Sequence, residues 1–295
     1  WTPTQRMIFQ EEIMMGNAPE LQGFNITMIG PVLIQFATQE QKDYFLPRAR
    51  NLDDWWCQGF SEPGAGSDLA GLRTRATRDG ANWRINGRKI WASLSGAAHY
   101  YGILCTEDKG DEKPDTRDTL YISVPAGSEG LSISGDWDPL GMRGTVSRNL
   151  AFKDVFVADD EQLMPRGVYF KGAQTWPAMF FTLAPTYLGV ANAAYDFTVA
   201  YLRGDIPGTG PVKRRQFATK QIAVAEMFIK LEQTRNLFLR AIEDARVDPA
   251  KTTRLRAYAA QYTIMENAQD LARLAIRTCG GQSMLKSLPL ERLYR

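Results

Sequence analysis

The spacing of apolar residues changes twice along the chain, and each change predicts a different kind of structure. Apolar positions recur at helical intervals up to about residue 54, alternate with polar ones from Trp55, and return to helical intervals after Gly167. The pattern predicts an α+β multidomain chain with three segments: a partial N-terminal helical region (residues 1–54), a middle antiparallel β-barrel or sandwich (residues 55–160) and an incomplete C-terminal antiparallel helical bundle (residues 161–295).

Two helix-start patterns lie in the N-terminal region, each with a Thr followed three residues later by Gln. The first, at Thr2, predicts a helix that ends at Met15. The second, at Thr38, predicts a short helix that ends at Leu46-Pro47, because proline lacks the amide hydrogen that a continuing helix needs. The apolar residues 26–36 between them predict a buried helix.

The strongest strand pattern surrounds Asn86-Gly87, a dipeptide that favours a two-residue hairpin turn. This turn would pair Trp83 with Ile90 and place Trp91 on the other face of the sheet, together with Ser93 if the strand continues. An aromatic ring beside a hydroxyl can stack on a planar ligand and hydrogen-bond its edge, although core packing is an alternative for Trp91. Further strands are predicted at residues 100–106, 120–125, 131–134 and 149–157.

The C-terminal region reads as long helices separated by breaks rich in glycine and proline. Helices are predicted over residues 180–203, 212–245 and 248–280, with a fourth starting at Ser287-Leu288-Pro289. Because residues 172–195 carry no charge, the first of these helices is expected to be buried on most sides.

Composition excludes several classes of function. A net charge of +2 and a single basic cluster, Lys213-Arg214-Arg215, make nucleic-acid binding a weak hypothesis. The widely spaced Cys57, Cys105 and Cys279 predict reduced thiols in a cytoplasmic protein, and the single His99 leaves neither a multi-histidine metal site nor a catalytic triad. No apolar run is long enough to span a membrane.

The stretch from Phe60 to Asp68, Phe-Ser-Glu-Pro-Gly-Ala-Gly-Ser-Asp, has the composition of a binding loop. Gly64 and Gly66 allow close approach of the backbone to a ligand, and successive turn amides can bind an anion such as phosphate. Ser61 and Ser67 add hydroxyl donors on either side. An ordinary Pro-Gly turn is the alternative.

Taken with three further motifs, this loop resembles the acyl-CoA dehydrogenase family of flavoproteins. The resemblance runs from Glu11 to Arg295, and its further motifs are Ile85-Asn86-Gly87-Arg88-Lys89-Ile90-Trp91, Leu140-Gly141-Met142-Arg143-Gly144-Thr145 and Cys279-Gly280-Gly281. It implies the fold of that family and FAD as the cofactor. The N-terminal start at Trp1 and the end at Arg295 are both expected to be cut ends of a longer chain.

The resemblance also implies roles for individual residues. Ser61 would lie at the pyrimidine edge of the flavin, Ser67 near the FAD pyrophosphate and the substrate thioester, Trp91 over the ring, and Ser93 as a donor to flavin N5. Gly280-Gly281 would approach FAD from a neighbouring subunit. The full set of implied cofactor contacts is Gln58, Phe60, Ser61, Gly66, Ser67, Trp91, Ala92, Ser93, Arg277, Gly280 and Gly281, with Ser67 also contacting substrate.

The implied reaction is α,β-dehydrogenation of an acyl-CoA, with a carboxylate taking the α-proton and FAD the β-hydride. Electrons would pass to an electron-transfer flavoprotein or a similar acceptor, and the assembly would be a homotetramer built as a dimer of dimers, or a heteromer. The family's catalytic Glu lies beyond the motif that ends at Arg295, so no catalytic residue is assigned. Residues 204–211 stand where the family has a segment with an Arg that reaches the FAD of the partner subunit, and Arg203 or Arg214 could supply the charge of that Arg. Arg277 stands where the family usually has Gln.

Two other functions remain open from the sequence. One is a catalytically silent partner subunit, which would contribute half a site to a heteromer. The other is a flavin oxidase or monooxygenase with the same fold.

Overall fold

The computed structural model describes residues 2–16, 18–19, 22–110, 115–176, 181, 183–207 and 213–295. The chain divides into two compact units, Trp1–Gly172 and Ala173–Arg295, each with buried clusters of its own. The domain boundaries at residues 54 and 160 stay predictions.

The first unit begins with helices that start where the capping patterns predict. The Thr2 and Thr38 hydroxyls each accept a hydrogen bond of 3.2 Å from the backbone amide of the Gln three residues later, Gln5 and Gln41 respectively. The helical elements of this region are α1 (Pro3–Met15), a π-helical turn (Phe24–Ile29) that runs into α2 (Gly30–Phe36), and α3 (Gln39–Asn51).

The prediction that α3 ends at Leu46-Pro47 is wrong, because tertiary contacts stabilise the turn beyond the proline. The Arg48 guanidinium forms a bidentate ion pair with Asp54, and Asn25 Nδ2 donates to the carbonyl of buried Ala49 at 2.9 Å. These bonds satisfy groups at the end of the helix and compensate for the one backbone bond that proline removes.

The remainder of the unit is an eight-stranded sheet in the order β6-β7-β3-β2-β4-β5-β8, with β1 also pairing with β4. Two pairings, β1 with β4 and β2 with β4, are parallel, so the sheet is mixed and not wholly antiparallel as expected. The strands are β1 (Trp56–Gly59), β2 (Arg75–Asp79), β3 (Asn82–Ala92), β4 (Tyr100–Glu107), β5 (Thr119–Pro125), β6 (Leu131–Ser134), β7 (Arg148–Val157) and β8 (Gln162–Met164).

Both faces of the central strand β4 are buried, and they belong to different clusters. Tyr101, Ile103 and Cys105 enter one apolar cluster, whereas Tyr100 and Leu104 pack with the other. Because side chains alternate between the faces of a strand, the two clusters lie on opposite sides of the sheet here. The second cluster also contains residues from α2 and α3, so these helices share a core with the sheet: Leu33, Phe45 and Ala49.

The predicted hairpin turn at Asn86-Gly87 is wrong, because both residues lie inside the continuous strand β3. The turn instead lies at Gly80, between the paired residues Asp79 and Asn82. Gly87 occupies an irregularity in the β3–β7 pairing, where φ is +149° and an added Cβ would lie 2.7 Å from the Thr74 Cα. Glycine serves here for a close backbone approach inside a strand.

The second unit is helical. Its three long helices, α5 (Ala184–Arg203), α6 (Ala218–Glu243) and α7 (Lys251–Cys279), pack around an apolar cluster that includes Ala194, Leu231 and Leu271. The predicted fourth helix is present as α8, and α7 ends before Gly280-Gly281 as expected. The predicted helix starts at residues 180 and 212 lie outside the described residues, as does part of the loop at 204–211. Helix α8 covers Pro289–Tyr294, and the helix that precedes α5, α4 (Val168–Thr175), spans the boundary of the units.

The α+β class and the order of helices, sheet and helices are confirmed. No described helix is both long enough and apolar enough to cross a bilayer. Nor do the described residues bring together three or more His, Cys, Asp or Glu side chains in a way suited to a metal ion.

Candidate functional site

The loop after β1 consists of a tight turn followed by an open segment. The backbone groups of Glu62 and Ala65 exchange two hydrogen bonds of 3.0 and 3.1 Å, which close a turn over Pro63-Gly64. The next three residues, 66–68, are exposed, and a Cβ added to Gly66 would meet no atom within 4 Å. The turn alternative therefore holds for the first half of the motif, while its second half leaves room for a ligand.

A buried carboxylate holds this loop in place. Glu62 is 4% exposed and accepts hydrogen bonds from the Arg73 amide (2.7 Å), the Thr74 amide (3.0 Å) and Lys89 Nζ (2.7 Å). Burial acts to raise the pKa of Glu62, but the charge of Lys89 and these hydrogen bonds outweigh it, so that the pKa lies below its usual value. Glu62 is therefore ionised and belongs to the framework of the loop.

Trp91 stands at the end of β3 in a conformation that is unusual for a large side chain. Its φ is +60°, its side chain is 56% exposed, and the β3–β7 register shifts between Lys89 and Ala92. The indole packs edge-on against Trp137, with ring centroids 5.4 Å apart. An exposed aromatic residue in left-handed backbone is a strained arrangement of the kind that clusters at functional sites, and the core-packing alternative for Trp91 is wrong.

The Ser61 backbone lies beside this strand end. The carbonyl of Ser61 accepts a 2.8 Å hydrogen bond from the amide of Ile90, the residue before Trp91. No hydrogen bond of the Ser61 hydroxyl to another described residue is present. The binding loop and the exposed indole are thereby joined into one surface of the first unit.

Ser93 follows the last residue of β3, so the strand does not continue to it as the sequence argument required. Its hydroxyl begins a chain of oxygen atoms, 2.6 Å from the Ser147 hydroxyl, which is 2.9 Å from the Thr145 hydroxyl. Thr145 in turn donates to the carbonyl of Met142 at 2.9 Å. Each hydroxyl has one proton to donate, and Thr145 donates its proton to Met142. Ser147 must therefore donate to Thr145, and Ser93 must donate to Ser147.

The other predicted contacts of the first unit differ in what they expose. Ala92 is fully buried in the sheet core, backbone included. The ring of Phe60 packs edge-on against Tyr121 and Tyr169, with centroids 5.5 and 5.4 Å away. Gln58 is half-buried in β1, where it pairs with β4.

In the second unit, the glycine pair follows α7 directly. Gly280 has φ +91°, and an added Cβ at Gly280 or Gly281 would meet no atom within 4 Å. Ser283 fixes the bend by donating both its amide (3.0 Å) and its hydroxyl (2.6 Å) to the Gly280 carbonyl. Lys220 from α6 donates to the Thr278 carbonyl near the end of α7. The backbone here is open to a ligand, and Arg277 is exposed beside it.

Basic side chains line a groove between α5 and α6 in the same unit. Arg203 ends α5, and Arg215 and Lys220 lie at or near the start of α6. Arg203 and Arg214 are the two residues that could replace the charge of the absent family segment. Arg203 lines this groove, whereas the side chain of Arg214 lies outside the described residues.

Comparison with known proteins agrees with this arrangement. The model of the acyl-CoA dehydrogenase middle domain matches residues 57–155, and that of the acyl-CoA dehydrogenase C-terminal domain matches residues 181–295. The mitochondrial short-chain specific acyl-CoA dehydrogenase of Bos taurus is 31% identical over 292 residues, which are 98% of this chain and 69% of that protein. The chain belongs to the acyl-CoA dehydrogenase family.

Further similarities define how far this comparison extends. Acyl-CoA dehydrogenase IpdE1 of Mycobacterium tuberculosis is 41% identical over 129 residues, so the match spans 43% of this chain and only a third (33%) of that relative's length. Acyl-CoA dehydrogenase from Geobacillus kaustophilus has a TM-score of 0.80 at 22% identity, covering 92% of this chain and 70% of its own. Butyryl-CoA dehydrogenase from Megasphaera elsdenii has a TM-score of 0.78 at 24% identity with the same coverage. These two structures establish the shared fold.

Sequence reasoning missed the residues that support the family site. The motif that contains Lys89 predicts no role for it, although Lys89 lies at the same inward-facing alternation as Trp83 and Ile85. No role is predicted for Ser147 or for Thr145, the last residue of a family motif, because nothing in their spacing shows that their hydroxyls form a chain with Ser93.

Proposed function

We propose that this protein is an FAD-dependent acyl-CoA dehydrogenase, which converts an acyl-CoA thioester into its α,β-unsaturated product. The observation that carries the proposal is the bond between the Ile90 amide and the Ser61 carbonyl, because it brings the glycine-rich loop next to Trp91. Membership of the acyl-CoA dehydrogenase family supports the same reaction. The acyl group is not specified by any described side chain.

The described residues fit FAD by their chemistry. Exposed Trp91 offers an aromatic face to a planar ring, and the Ser61 and Ser67 hydroxyls offer hydrogen bonds to its polar edge and to phosphate. The open backbone at Gly66 and Gly280 accepts close approach of a ligand. When bound, FAD supplies the acceptor for the hydride that leaves the β-carbon and passes both electrons on to a second protein.

Each side chain then has a limited task. Trp91 covers the ring and excludes water, and Ser67 binds near the pyrophosphate and the thioester. Ser93 is placed near N5 of the ring, where its hydroxyl can donate to the flavin only by giving up the hydrogen bond that it donates to Ser147. The set of proposed cofactor contacts remains that predicted from the sequence, and Ala92 is the one member of it that is fully buried.

No residue of this chain is proposed as the base that removes the α-proton. Glu291 is excluded from that role because its carboxylate pairs with Arg295 at 2.7 Å, one helical turn away. The base must be a carboxylate that is desolvated and close to the α-carbon.

The test is anaerobic titration of the purified full-length protein with acyl-CoA thioesters of several chain lengths. We expect one FAD per subunit and loss of its visible absorption as substrate is added, with the enoyl-CoA as product. Purified protein that takes up no FAD would overturn the proposal in favour of a silent partner subunit. Reduced flavin that is reoxidised rapidly by air would favour an oxidase or monooxygenase.

We also propose a cytoplasmic dimer of dimers that delivers electrons to an electron-transfer flavoprotein or a similar acceptor. Exposed apolar side chains on α6 and α7 support subunit contacts, since a monomer rarely leaves such residues in water: Ile222, Phe228, Ile229, Leu255, Tyr258 and Tyr262. Light scattering of the full-length protein tests the assembly, and a monomeric mass at micromolar concentration would contradict it.

A further inference from the structure

Lys89 is the one described lysine that is completely buried, with 0% of its side chain exposed. Lysine is rarely buried in this way unless its charge is paired. Its Nζ donates to the carbonyl of Phe60 at 3.0 Å and to Glu62 at 2.7 Å, the two residues on either side of Ser61. A single ammonium group therefore holds the chain before and after a proposed flavin contact.

The same strand holds Ser61 itself. The amide of Ile90, the residue after Lys89, donates to the Ser61 carbonyl at 2.8 Å. Residues 60 and 62 are thus bonded to Lys89, and residue 61 is bonded to Ile90, the next residue of β3. The next residue, Trp91, is the exposed indole, so the loop and the ring-covering side chain share one anchor.

The carboxylate of Glu62 extends this anchor beyond the loop. Its two oxygens also accept the amides of Arg73 and Thr74, which lead into β2. The bonds that Glu62 accepts from Lys89 and from the Thr74 amide are buried, so a partner lost there is not readily replaced by water. Loss of the ammonium group would free the Phe60 carbonyl and leave the Glu62 carboxylate without its countercharge.

We infer that Lys89 is a positioning residue for the flavin: its buried ammonium fixes residues 60–62 against β3 so that Ser61 and Trp91 keep one geometry toward the ring. This inference rests on the proposed function. Lys89 acts through the loop and does not itself contact the cofactor. A preformed site binds its ligand more tightly than a loop that must be ordered on binding.

The test compares Lys89→Met with the wild type in two measurements on the full-length protein. The first is the dissociation constant for FAD, at a temperature well below the unfolding midpoint of each variant. We expect it to weaken by about tenfold or more, because a charge-assisted hydrogen bond to a buried group is lost. The second is hydrogen exchange of the FAD-free protein, which should increase in peptides that cover residues 60–68.

Val155→Ala is the matched control, since Val155 is fully buried in the sheet core but makes no bond to the loop. Its cavity should lower the unfolding midpoint without changing FAD affinity or exchange at residues 60–68. If both variants weaken FAD binding in proportion to their loss of stability, or if Lys89→Met binds FAD as the wild type does, the inference is overturned. A wild type that binds no FAD overturns the proposed function first, and this inference with it.

Discussion

At the scale of single residues, Trp91 shows that the backbone as well as the side chain is shaped for a site. A left-handed φ of +60° disfavours every residue with a Cβ, and the indole gains little from burial because it is 56% exposed. The edge-on contact with Trp137 is the one ring contact of the indole among the described residues, and strain with so little packing to compensate it is typical of a functional site.

This strain predicts an unusual order of stabilities. Trp91→Gly is expected to be more stable than Trp91→Ala by about 1 kcal/mol, because only glycine adopts this φ without steric conflict. Urea unfolding of the FAD-free protein measures the difference. Arg88 is the control, because it is an exposed β3 residue whose φ is not positive. There Arg88→Ala should be more stable than Arg88→Gly, as is usual in a strand. The same order at both positions would show that Trp91 is unstrained.

Glu161 is the other single residue with an unusual environment. It lies next to β8, accepts a hydrogen bond from Ser123, and has its pKa raised to about 7 by burial and by the neighbouring charge of Asp160. Gln41 of α3 donates to the carbonyls of Asp160 and Gln162 on either side of it. Ionisation of Glu161 therefore places a partly buried negative charge beside the contact between α3 and this segment.

The raised pKa predicts how stability changes with pH. Below the ordinary pKa of Glu both folded and unfolded states hold the proton, and stability is greatest. As the pH rises the unfolded chain ionises first, so this contribution declines and is lost as the pH passes about 7. Between pH 5 and 8 the unfolding midpoint should fall by roughly 2–4 °C more in the wild type than in Glu161→Gln. Parallel curves for the two proteins in a thermal-shift assay would contradict this.

At the scale of elements, strand β3 is where sequence reasoning and structure differ most. The Asn86-Gly87 dipeptide favours a turn, but the turn lies at Gly80-Ala81, between the paired residues Asp79 and Asn82. Local preference cannot choose between two such pairs, since the choice depends on which strands meet across the sheet. Here β3 pairs along its length with β7, nearly 70 residues later.

The two glycines provide a test of this correction. Gly87→Ala should lower the free energy of unfolding by about 3 kcal/mol or more, because the new Cβ would lie 2.5 Å from Thr74 Oγ1 in a strained φ. Gly80→Ala should lower it by only about 1 kcal/mol, because its φ is +62° but its surroundings are open. Chemical denaturation of both variants checks the order; equal losses would favour a solvent-exposed turn at Gly87.

The wrongly predicted turn also explains why the sequence pattern does not predict Lys89 as part of the site. With β3 continuous, Trp83, Ile85 and Lys89 fall on buried positions of one strand, and a lysine among them signals a buried partner. With a turn at Asn86-Gly87 that periodicity is broken. Motifs predict the loop, Trp91 and the glycine pair as site residues, whereas the Ser93–Ser147 contact joins residues 54 positions apart and no local pattern predicts it.

At the scale of the whole molecule, a buried cluster of the first unit joins segments that the hydrophobic pattern separates. Pattern changes near residues 54 and 160 follow secondary structure, but compactness follows shared burial. Residues of α2 and α3 share a cluster with Leu163 and Met164 of β8, beyond residue 160. A change of periodicity therefore marks where the elements change, and burial marks where an autonomous unit can end.

Two fragments test which boundary is physical. Residues 1–176 contain both clusters of the sheet and the whole of α4, so this fragment should unfold cooperatively in urea and keep the fluorescence of buried Trp56 and Trp83. Residues 1–160 lack β8, which removes the partner of Tyr121 at the β5 edge and the fully buried Leu163. That fragment should unfold at lower urea, or bind a hydrophobic dye as a loosely packed state does. If both fragments unfold at the same urea concentration, β8 adds nothing to the unit and the boundary read from periodicity is the correct one.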